Sequence, residues 1–176
     1  AMQIEKATSR ELRKIKKIYL EAFPKSERKP FRLMKQKAAE GVMEFLAIRE
    51  KGKLAGLAIT VLYKDMVLLD YFAIEKSFRG QNLGTEALAF LKKRYEGRRF
   101  FLEIELPELE GPGQELRIRR KQFYLRNGMK ETGVKVCLFQ IPMELLTDGQ
   151  NMVFEEYHEF YEQTIGPVFA RKVERL

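Results

Sequence analysis

The stretch from Leu68 to Thr85, LLDYFAIEKSFRGQNLGT, joins an apolar strand to a polar loop and the first turn of a helix. The first N–H groups of a helix have no partner inside the helix, and the helix dipole makes that end partly positive. Gly80 and Gly84 allow a ligand to approach the main chain closely, and Arg79 adds a fixed positive charge. Because these features together favour a bound anion, the stretch predicts a diphosphate-binding loop.

The order of residues in this loop separates it from other phosphate-binding motifs. Neither the dinucleotide pattern G-x-G-x-x-G nor the nucleoside-triphosphate pattern G-x-x-x-x-G-K-[ST] occurs in the chain. Asn82 stands where a glycine is usual in a third pattern, and asparagine adopts the left-handed backbone conformation more readily than most residues. This third pattern is motif A of the GNAT N-acetyltransferases, Q/R-x-x-G-x-G/A, which the loop resembles as Arg79-Gly80-Gln81-Asn82-Leu83-Gly84.

A second signature lies downstream, at Phe123-Tyr124-Leu125-Arg126-Asn127-Gly128-Met129. It resembles the F-Y-x-x-x-G-F segment of the same family, with Met129 in the place of the final phenylalanine, and its distance from the first motif also fits. The resemblance covers about residues 4–141. We therefore expect a GNAT domain over residues 1–141 and a C-terminal helical extension over residues 142–176 that packs on the same domain.

The spacing of apolar residues predicts a mixed α/β fold. Strands are expected at residues 4–5, 45–49, 54–63, 66–74, 100–106 and 134–141. Helices are expected from a cap at Thr8 or Ser9 as far as Pro24, and at residues 31–40, 83–96, 114–126 and 151–165. The strand-helix-strand unit in the middle of the chain favours a parallel pair. The resemblance implies a mostly antiparallel central sheet with one splayed parallel pair and helices on both faces.

The resemblance implies acetyl-CoA as the acyl donor. In this family acyl-CoA lies in a V-shaped gap between two parallel strands, which correspond here to Met66–Ile74 and Phe100–Leu106. Main-chain groups at the end of the first strand would bind the pantetheine arm, and the loop would bind the diphosphate. The strand residues are Phe72, Ala73 and Ile74, and the loop residues are Arg79, Gly80, Gln81, Asn82, Leu83, Gly84 and Thr85. For the side chains of Phe72 and Ile74, plain core packing is the alternative role.

The resemblance also implies a general acid at Tyr124. The family's reaction is direct attack of a neutral amine on the thioester, in which the amine loses a proton and the departing thiolate gains one. Tyr124 matches the family's usual proton donor, and a phenol with a pKa near ~10 stays protonated at pH 7. The alternative is that Tyr124 is a half-buried helix residue that only packs.

Three carboxylates are candidates for the general base. Asp70 lies within an apolar strand, where an unpaired charge is costly, and Glu103 and Glu105 alternate on one face of the next strand. We rank Glu103 and Asp70 close together and Glu105 third, and a water relay in place of a single base stays open. The alternative for all three is an ion pair with the basic helix that carries Arg117, Arg119 and Arg120.

The only histidine and the only cysteine of the chain offer no further site. We expect a solvent-facing structural role for His158, and one histidine with one cysteine cannot form a typical metal site. No metal is therefore predicted. Cys137 is expected to be buried in the last strand, and the alternative is an acyl-cysteine intermediate.

Composition restricts the class of protein further. The 176 residues are 45% hydrophobic and 33% charged, which is typical of a folded domain and not of a disordered chain. No apolar run reaches the roughly 20 residues of a membrane-spanning helix. The single cysteine excludes an internal disulfide. We therefore expect a cytoplasmic protein without a membrane partner.

The net charge of +8 arises near the start of the chain, because residues 10–37 contain eleven Lys and Arg against three Glu. A basic rim favours acceptors with a carboxylate or phosphate near the amine, whereas the acidic residues 148–162 favour polyamines, aminoglycosides or lysine side chains.

The function expected from these features is transfer of an acetyl group to a primary amine of a small molecule or peptide. One alternative is a non-catalytic acyl-CoA-binding regulator. The other is a nucleic-acid-associated protein, which the lack of interleaved aromatic residues or a known module disfavours. The aromatic stripe of the extension also allows a homodimer.

Overall fold

A computed structural model gives the structure of the protein and describes residues 1–176. The strands are β1 (Met2–Lys6), β2 (Met43–Glu50), β3 (Lys53–Tyr63), β4 (Met66–Ile74), β5 (Arg99–Glu105), β6 (Lys130–Leu138), β7 (Ile141–Thr147) and β8 (Val173–Arg175). The helices are α1 (Ser9–Ala22), α2 (Phe31–Ala39), α3 (Leu83–Arg94), α4 (Gln114–Arg126), α5 (Phe154–Thr164) and α6 (Pro167–Ala170). None of these helices combines the length and the apolar composition that crossing a bilayer requires.

The fold is mixed α/β, as predicted, and its eight strands are hydrogen-bonded in the order β1-β2-β3-β4-β5-β7-β6-β8. The parallel pair is β4 with β5, where Met66–Leu68 pairs with Arg99–Phe101. The pairs β1–β2, β2–β3, β5–β7, β6–β7 and β6–β8 are antiparallel. The predicted parallel connection through α3 is therefore confirmed, because β4, α3 and β5 follow one another in the chain.

The first of two compact units comprises residues 1–62 and 69–96. Its first helix, α1, begins at the predicted cap, because the Thr8 hydroxyl accepts from the Glu11 N–H at 3.2 Å and the Glu11 carboxylate accepts from the Thr8 N–H at 2.9 Å. A cap of this kind stabilises a helix by about 1 kcal/mol. Ile15, Ile18 and Tyr19 are buried along one face of α1, as their spacing predicts.

The core of this unit lies on β2 and β3. Leu46, Ile48 and Leu57 are fully buried, and burying such a side chain contributes about 1.5–3 kcal/mol. Lys51 and Gly52 join the two strands with φ angles of 52° and 77°. Two central residues with positive φ suit the twist of a two-residue hairpin, and the two predicted strands are therefore joined by a tight turn.

The second unit comprises residues 63–68 and 97–176. Its helix α5 buries an aromatic face against β5, with the rings of Phe101 and Phe160 5.2 Å apart and nearly perpendicular. Tyr63 packs edge-on against Phe160 at 6.3 Å. The predicted amphipathic helix is therefore confirmed, and its apolar face is attached to the β5 strand.

The strand predicted over residues 134–141 is wrong. The chain forms two strands there, β6 and β7, which a turn at Phe139 and Gln140 joins with φ angles of 50° and 68°. Neither residue is of the glycine or asparagine type that normally marks such a turn, and therefore no local pattern predicts this turn. β7 pairs with both β5 and β6.

The C-terminal residues add strands as well as helices. β7 begins at Ile141 and crosses the position at which the sequence analysis divides the chain. The last strand, β8, pairs with β6, so that Leu138 lies opposite Val173. Neither strand is predicted from the sequence. The division into a GNAT domain over residues 1–141 and an extension over residues 142–176 stays a prediction.

Candidate active site

The predicted diphosphate loop follows the carboxyl end of β4 and lies in the first unit. A single 3-10 turn, Lys76–Phe78, follows Glu75, and hydrogen bonds from Ser77 lower the pKa of the Glu75 carboxyl. Arg79 is exposed, and its Nε donates to the carbonyl oxygen of Ile74 at 3.4 Å. The turn therefore brings the guanidinium of Arg79 back to the end of the strand.

Two residues of the loop have left-handed backbone conformations. Gly80 has a φ of 81° and Asn82 a φ of 62°. A Cβ atom added at Gly80 would meet nothing within 4 Å, so this glycine is required by its backbone angle and not by crowding. Asn82 takes the left-handed conformation that the sequence analysis gave as the reason why asparagine can replace glycine there.

Helix α3 begins without a side-chain cap. Its N-cap residue is Asn82, whose side chain makes no capping hydrogen bond. Helix geometry leaves the N–H groups of Leu83, Gly84 and Thr85 without partners inside α3. The Leu83 side chain is buried and fixes the first turn on the core. The start of α3 therefore carries the free donors and the positive dipole end that bind an anion.

The predicted pantetheine-binding residues form the last three positions of β4. All three are half-buried. Gly56 of β3 lies against them, because a Cβ atom at Gly56 would come within 2.3 Å of the Ala73 carbonyl oxygen. Only glycine fits this close approach, and the sequence analysis did not single it out. Glu75, just beyond the strand, donates its N–H to the Ala55 carbonyl oxygen at 2.7 Å.

Asp70 forms an ion pair with a lysine that the sequence analysis did not name. Its Oδ2 lies 2.8 Å from the Nζ of Lys29, and the two side chains are only 4% and 8% exposed. The basic helix α4 was the ion-pair partner considered from sequence, but the partner lies in the segment between α1 and α2. The pair satisfies a carboxylate that would otherwise be buried at high cost.

Two tyrosine hydroxyl groups fix the main chain of Lys29. Tyr19 donates to the Lys29 carbonyl oxygen at 2.7 Å, and Lys29 donates its N–H to the Tyr71 oxygen at 3.0 Å. Tyr71 in turn donates to the Glu27 carbonyl oxygen at 2.7 Å. Burial raises the pKa of Tyr19, so this phenol remains a donor. The Lys29 segment is thus held on β4 next to Asp70.

Tyr124 lies on α4 in the second unit and is half-buried. Burial of the hydroxyl group raises the pKa of Tyr124 to about 12, although the nearby charge of Arg120 lowers it. The ring meets that of Phe123 edge-on at 5.2 Å. The phenol is therefore protonated throughout the neutral range, as a proton donor requires.

Glu103 lies on β5, and two tyrosines of α5 donate to its carboxylate. The hydroxyl groups of Tyr157 and Tyr161 both reach the same oxygen, Oε2, the second at a distance of 2.5 Å. Both tyrosines belong to the aromatic stripe predicted for the C-terminal extension, and this stripe did not predict the contacts of their hydroxyl groups. Glu105, two residues further along β5, is half-buried.

The remaining singled-out residues lie elsewhere. His158 is partly exposed on α5, 3.8 Å from the Glu162 carboxylate one turn away, and its ring lies near that of Phe154. Cys137 is a free thiol in β6 and is half-buried, less buried than predicted. No group of three or more His, Cys, Asp or Glu side chains is arranged to hold a metal ion.

Comparison with known proteins assigns the class to which this fold and loop belong. The sequence model of the Acetyltransferase (GNAT) family matches residues 12–110, which is more than half of the chain. The protein is a member of the GNAT acetyltransferase family. The matched range includes the predicted diphosphate loop and β5. The comparison with curated proteins gave no match.

Solved structures share this fold at low sequence identity. A GNAT-family protein from Bacteroides thetaiotaomicron is 18% identical with a TM-score of 0.78, over 96% of this chain and 98% of its own. The ribosomal-protein-S18-alanine N-acetyltransferase of Escherichia coli is 18% identical with a TM-score of 0.65, over 87% and 96%. An aminoglycoside 6′-N-acetyltransferase complexed with coenzyme A is 15% identical with a TM-score of 0.66, over 86% and 99%.

Proposed function

We propose that the protein is an N-acetyltransferase that moves the acetyl group of acetyl-CoA to a primary amine of a small molecule or peptide. The observation that carries this proposal is the uncapped start of α3 after two left-handed residues, Gly80 and Asn82. A loop of this shape, with Arg79 beside it, matches the diphosphate of coenzyme A in charge and in its need for N–H donors. Membership of the GNAT family and a relative of the same fold complexed with coenzyme A support it.

Binding of the donor would use main-chain groups over most of its length. The residues from Arg79 to Thr85 would bind the diphosphate, and Phe72, Ala73 and Ile74 would bind the amides of the pantetheine arm. An extended arm can pair with a strand as a further strand does. Gly56 supports this role, because it lets β3 approach the Ala73 carbonyl closely and keeps the end of β4 extended.

The chemistry we propose is a direct transfer. The amine nitrogen forms a bond to the thioester carbonyl carbon, the bond from that carbon to sulfur breaks, and the sulfur leaves with the electron pair. Tyr124 supplies the proton to the sulfur, since its phenol is neutral with a pKa of about 12. The ammonium form of the acceptor first loses a proton to a base, which makes the nitrogen nucleophilic. As the amide forms, the nitrogen loses a second proton, which restores the Tyr124 phenol.

Glu103 is the base that the contacts favour over Asp70. Protonation of Asp70 would remove the carboxylate charge from its ion pair with the buried Lys29 ammonium, 2.8 Å away. Glu103 instead faces phenol groups that tolerate either protonation state. Glu105 ranks third. In this proposal Asp70 holds the Lys29 segment on β4 and takes no proton.

The acceptor class is proposed on the same basis. Relatives of this fold include an enzyme named for an aminoglycoside and one named for the alanine of a ribosomal protein. Both names describe acylation of an amine, in a small molecule and in a protein respectively. Because α1 is rich in basic residues and α5 in acidic residues, the panel includes both anionic and cationic amines.

The test is release of free coenzyme A thiol when the protein meets acetyl-CoA and a panel of amines. The panel contains polyamines, aminoglycosides, amino acids, sugar-phosphate amines and short peptides with free N-termini. We expect thiol release with at least one amine. Mass spectrometry should then detect an acetylated product that is about 42 Da heavier than that amine. Binding of acetyl-CoA without turnover of any amine would contradict the enzyme proposal in favour of a non-catalytic acyl-CoA-binding protein.

A further inference from the structure

The Glu103 carboxylate and the two tyrosines of α5 form a cluster that the family motifs do not include. We infer that Tyr157 and Tyr161 are positioning residues for Glu103 and that α5 is therefore part of the catalytic apparatus. This inference rests on the proposed acetyl transfer. It gives the C-terminal residues, for which the sequence analysis offered only packing or dimer formation, a role in the reaction.

The geometry of the cluster fixes the orientation of the carboxylate. Tyr157 and Tyr161 are one helical turn apart on α5, so their side chains lie on the same face. Both hydroxyl groups donate to Oε2 of Glu103. Two donors that converge on one oxygen restrict rotation of the carboxylate about its last side-chain bond, which a single hydrogen bond would not do.

The tyrosine rings are held independently of their hydroxyl groups. Both residues are 0% exposed. The rings of Tyr157 and Tyr161 meet edge-on at 5.1 Å, Tyr157 also meets Phe101, and Tyr161 stacks on Phe169 at 5.2 Å. Packing alone would therefore hold two phenylalanines here. The hydroxyl groups are not needed for this packing, and both donate to the Glu103 carboxylate.

A packing role by itself does not explain a carboxylate as the acceptor. A buried hydroxyl group needs a partner, but a neutral main-chain carbonyl would suffice without the cost of desolvating a charge. Hydrogen bonds from neutral donors to a carboxylate are shorter and stronger than those to a neutral acceptor. The cluster thus holds Glu103 as an anion in a fixed orientation before the reaction begins.

The phenol groups also suit a carboxylate that changes its protonation state. A phenol both donates and accepts a hydrogen bond. When Glu103 takes a proton from the acceptor's ammonium group, its new O–H can donate to a phenol oxygen after the phenol rotates. The proton then passes to water, and Glu103 returns to the anion. Tyr157 and Tyr161 stay protonated throughout, so atoms and charge balance without another reactant.

Two other acidic residues lie close to Glu103 in the register of the strands. Glu105 follows Glu103 on the same face of β5. Leu145 of β7 lies opposite Glu103, whereas Glu144 lies opposite Ile104, on the other face, and there binds Lys121 of α4. From α5, Tyr157 and Tyr161 face the carboxylate. Their hydroxyl groups are therefore the contacts to change.

The experiment compares Tyr157→Phe, Tyr161→Phe and the double variant with the wild type. Each substitution keeps the ring and removes one donor. We expect kcat to fall about tenfold for each single variant and further for the double one, because a hydrogen bond to a charged group is lost. The acidic limb of the kcat/KM profile should move up by about one pH unit, because the anion loses a stabilising donor. The affinity for acetyl-CoA should not change.

Tyr63→Phe is the matched control, because its ring packs on Phe160 of the same helix. We expect the wild-type pH profile for this variant. Variants at Tyr157 and Tyr161 that lose thermal stability but keep the wild-type kcat and pH profile would overturn the positioning role and leave the proposed function untouched. A wild-type protein that binds acetyl-CoA and acetylates no amine would instead overturn the proposed function. If the double variant does not fold, the two single variants decide the question.

Discussion

The two carboxylates on the β4 and β5 strands are held in different ways. Asp70 faces a lysine ammonium, and both side chains of that pair are nearly excluded from solvent. Glu103 accepts from two phenols that belong to one helix face. An ammonium can only donate and always carries charge, whereas a phenol donates or accepts and is neutral.

This difference indicates which carboxylate can work as a base. An ion pair in a buried setting is stable only while both charges remain. A carboxylate among hydroxyl groups has partners in both of its protonation states. The same residue type therefore serves as an anchor in one strand and as a reactive group in the other, and the neighbours decide between the two roles.

The largest expected effect is that of Glu103→Gln on turnover. Removal of a general base typically lowers the rate by 10²–10⁴, and we expect kcat to fall about 10³-fold here. Asp70→Asn, assayed at a temperature where the variant is folded, should lose less than about tenfold, since it removes an anchor and no proton acceptor. Steady-state thiol release measures both. A loss with Asp70→Asn or Glu105→Gln that equals or exceeds that of Glu103→Gln would contradict the assignment.

The second effect concerns stability. Lys29→Met leaves the Asp70 charge buried without its partner, and we expect the free energy of unfolding to fall by about 3 kcal/mol. The double variant Lys29→Met/Asp70→Leu removes both charges and should recover most of that loss. Denaturant titration followed by circular dichroism measures both values. Equal losses in the single and double variants would mean that the ion pair does not anchor the segment.

The third effect is that of Tyr124→Phe. Loss of the general acid should lower kcat about 10²-fold while the affinity for acetyl-CoA is kept. The raised pKa of Tyr124, about 12, also bears on the alkaline side of the dependence of kcat on pH. Since burial raises the pKa of the Tyr124 phenol above its ordinary value near ~10, an alkaline limb that is caused by this phenol should lie above pH ~10. A Tyr124→Phe variant with the wild-type kcat would exclude Tyr124 as the proton donor.

The smallest effect expected is that of Gly56→Ala. The added methyl group would lie 2.3 Å from the Ala73 carbonyl oxygen, so one strand must shift. We expect a stability loss of about 1–2 kcal/mol from this overpacking, together with weaker acetyl-CoA binding. The substitution affects β4, the strand of Asp70, whereas Glu103 lies on β5. The pH dependence attributed to Glu103 should therefore stay unchanged. A changed acidic limb in the pH profile of kcat/KM would break the separation between the two carboxylates.

Local patterns in the sequence predicted the elements that depend on local physics. The bounds of β4 and α4 were predicted to the residue, and the left-handed Asn82 followed from its place in the motif. The hairpin between β6 and β7 was missed because Phe139 and Gln140 adopt positive φ angles without the usual turn residues.

The contacts that separate the two carboxylates could not be predicted from local patterns. Lys29 and Asp70 are 41 residues apart in the chain, and Glu103 and Tyr157 are 54 apart. Tyr157 and Tyr161 have the spacing of an apolar helix face, and that spacing describes their rings but not their hydroxyl groups. Such pairings arise from the tertiary fold, which brings distant segments of each unit together.

The loop between β4 and α3 is the proposed binding site for the diphosphate of coenzyme A, and calorimetric titration with acetyl-CoA measures this binding. Arg79→Glu reverses the charge beside the loop, and Lys93→Glu makes the same change at the other end of α3 as a control. We predict binding to the wild type, a loss of at least about tenfold, or 1.4 kcal/mol, with Arg79→Glu, and a change below about twofold with Lys93→Glu. No heat of binding with the wild type, or equal affinity of the wild type and Arg79→Glu, would contradict the account.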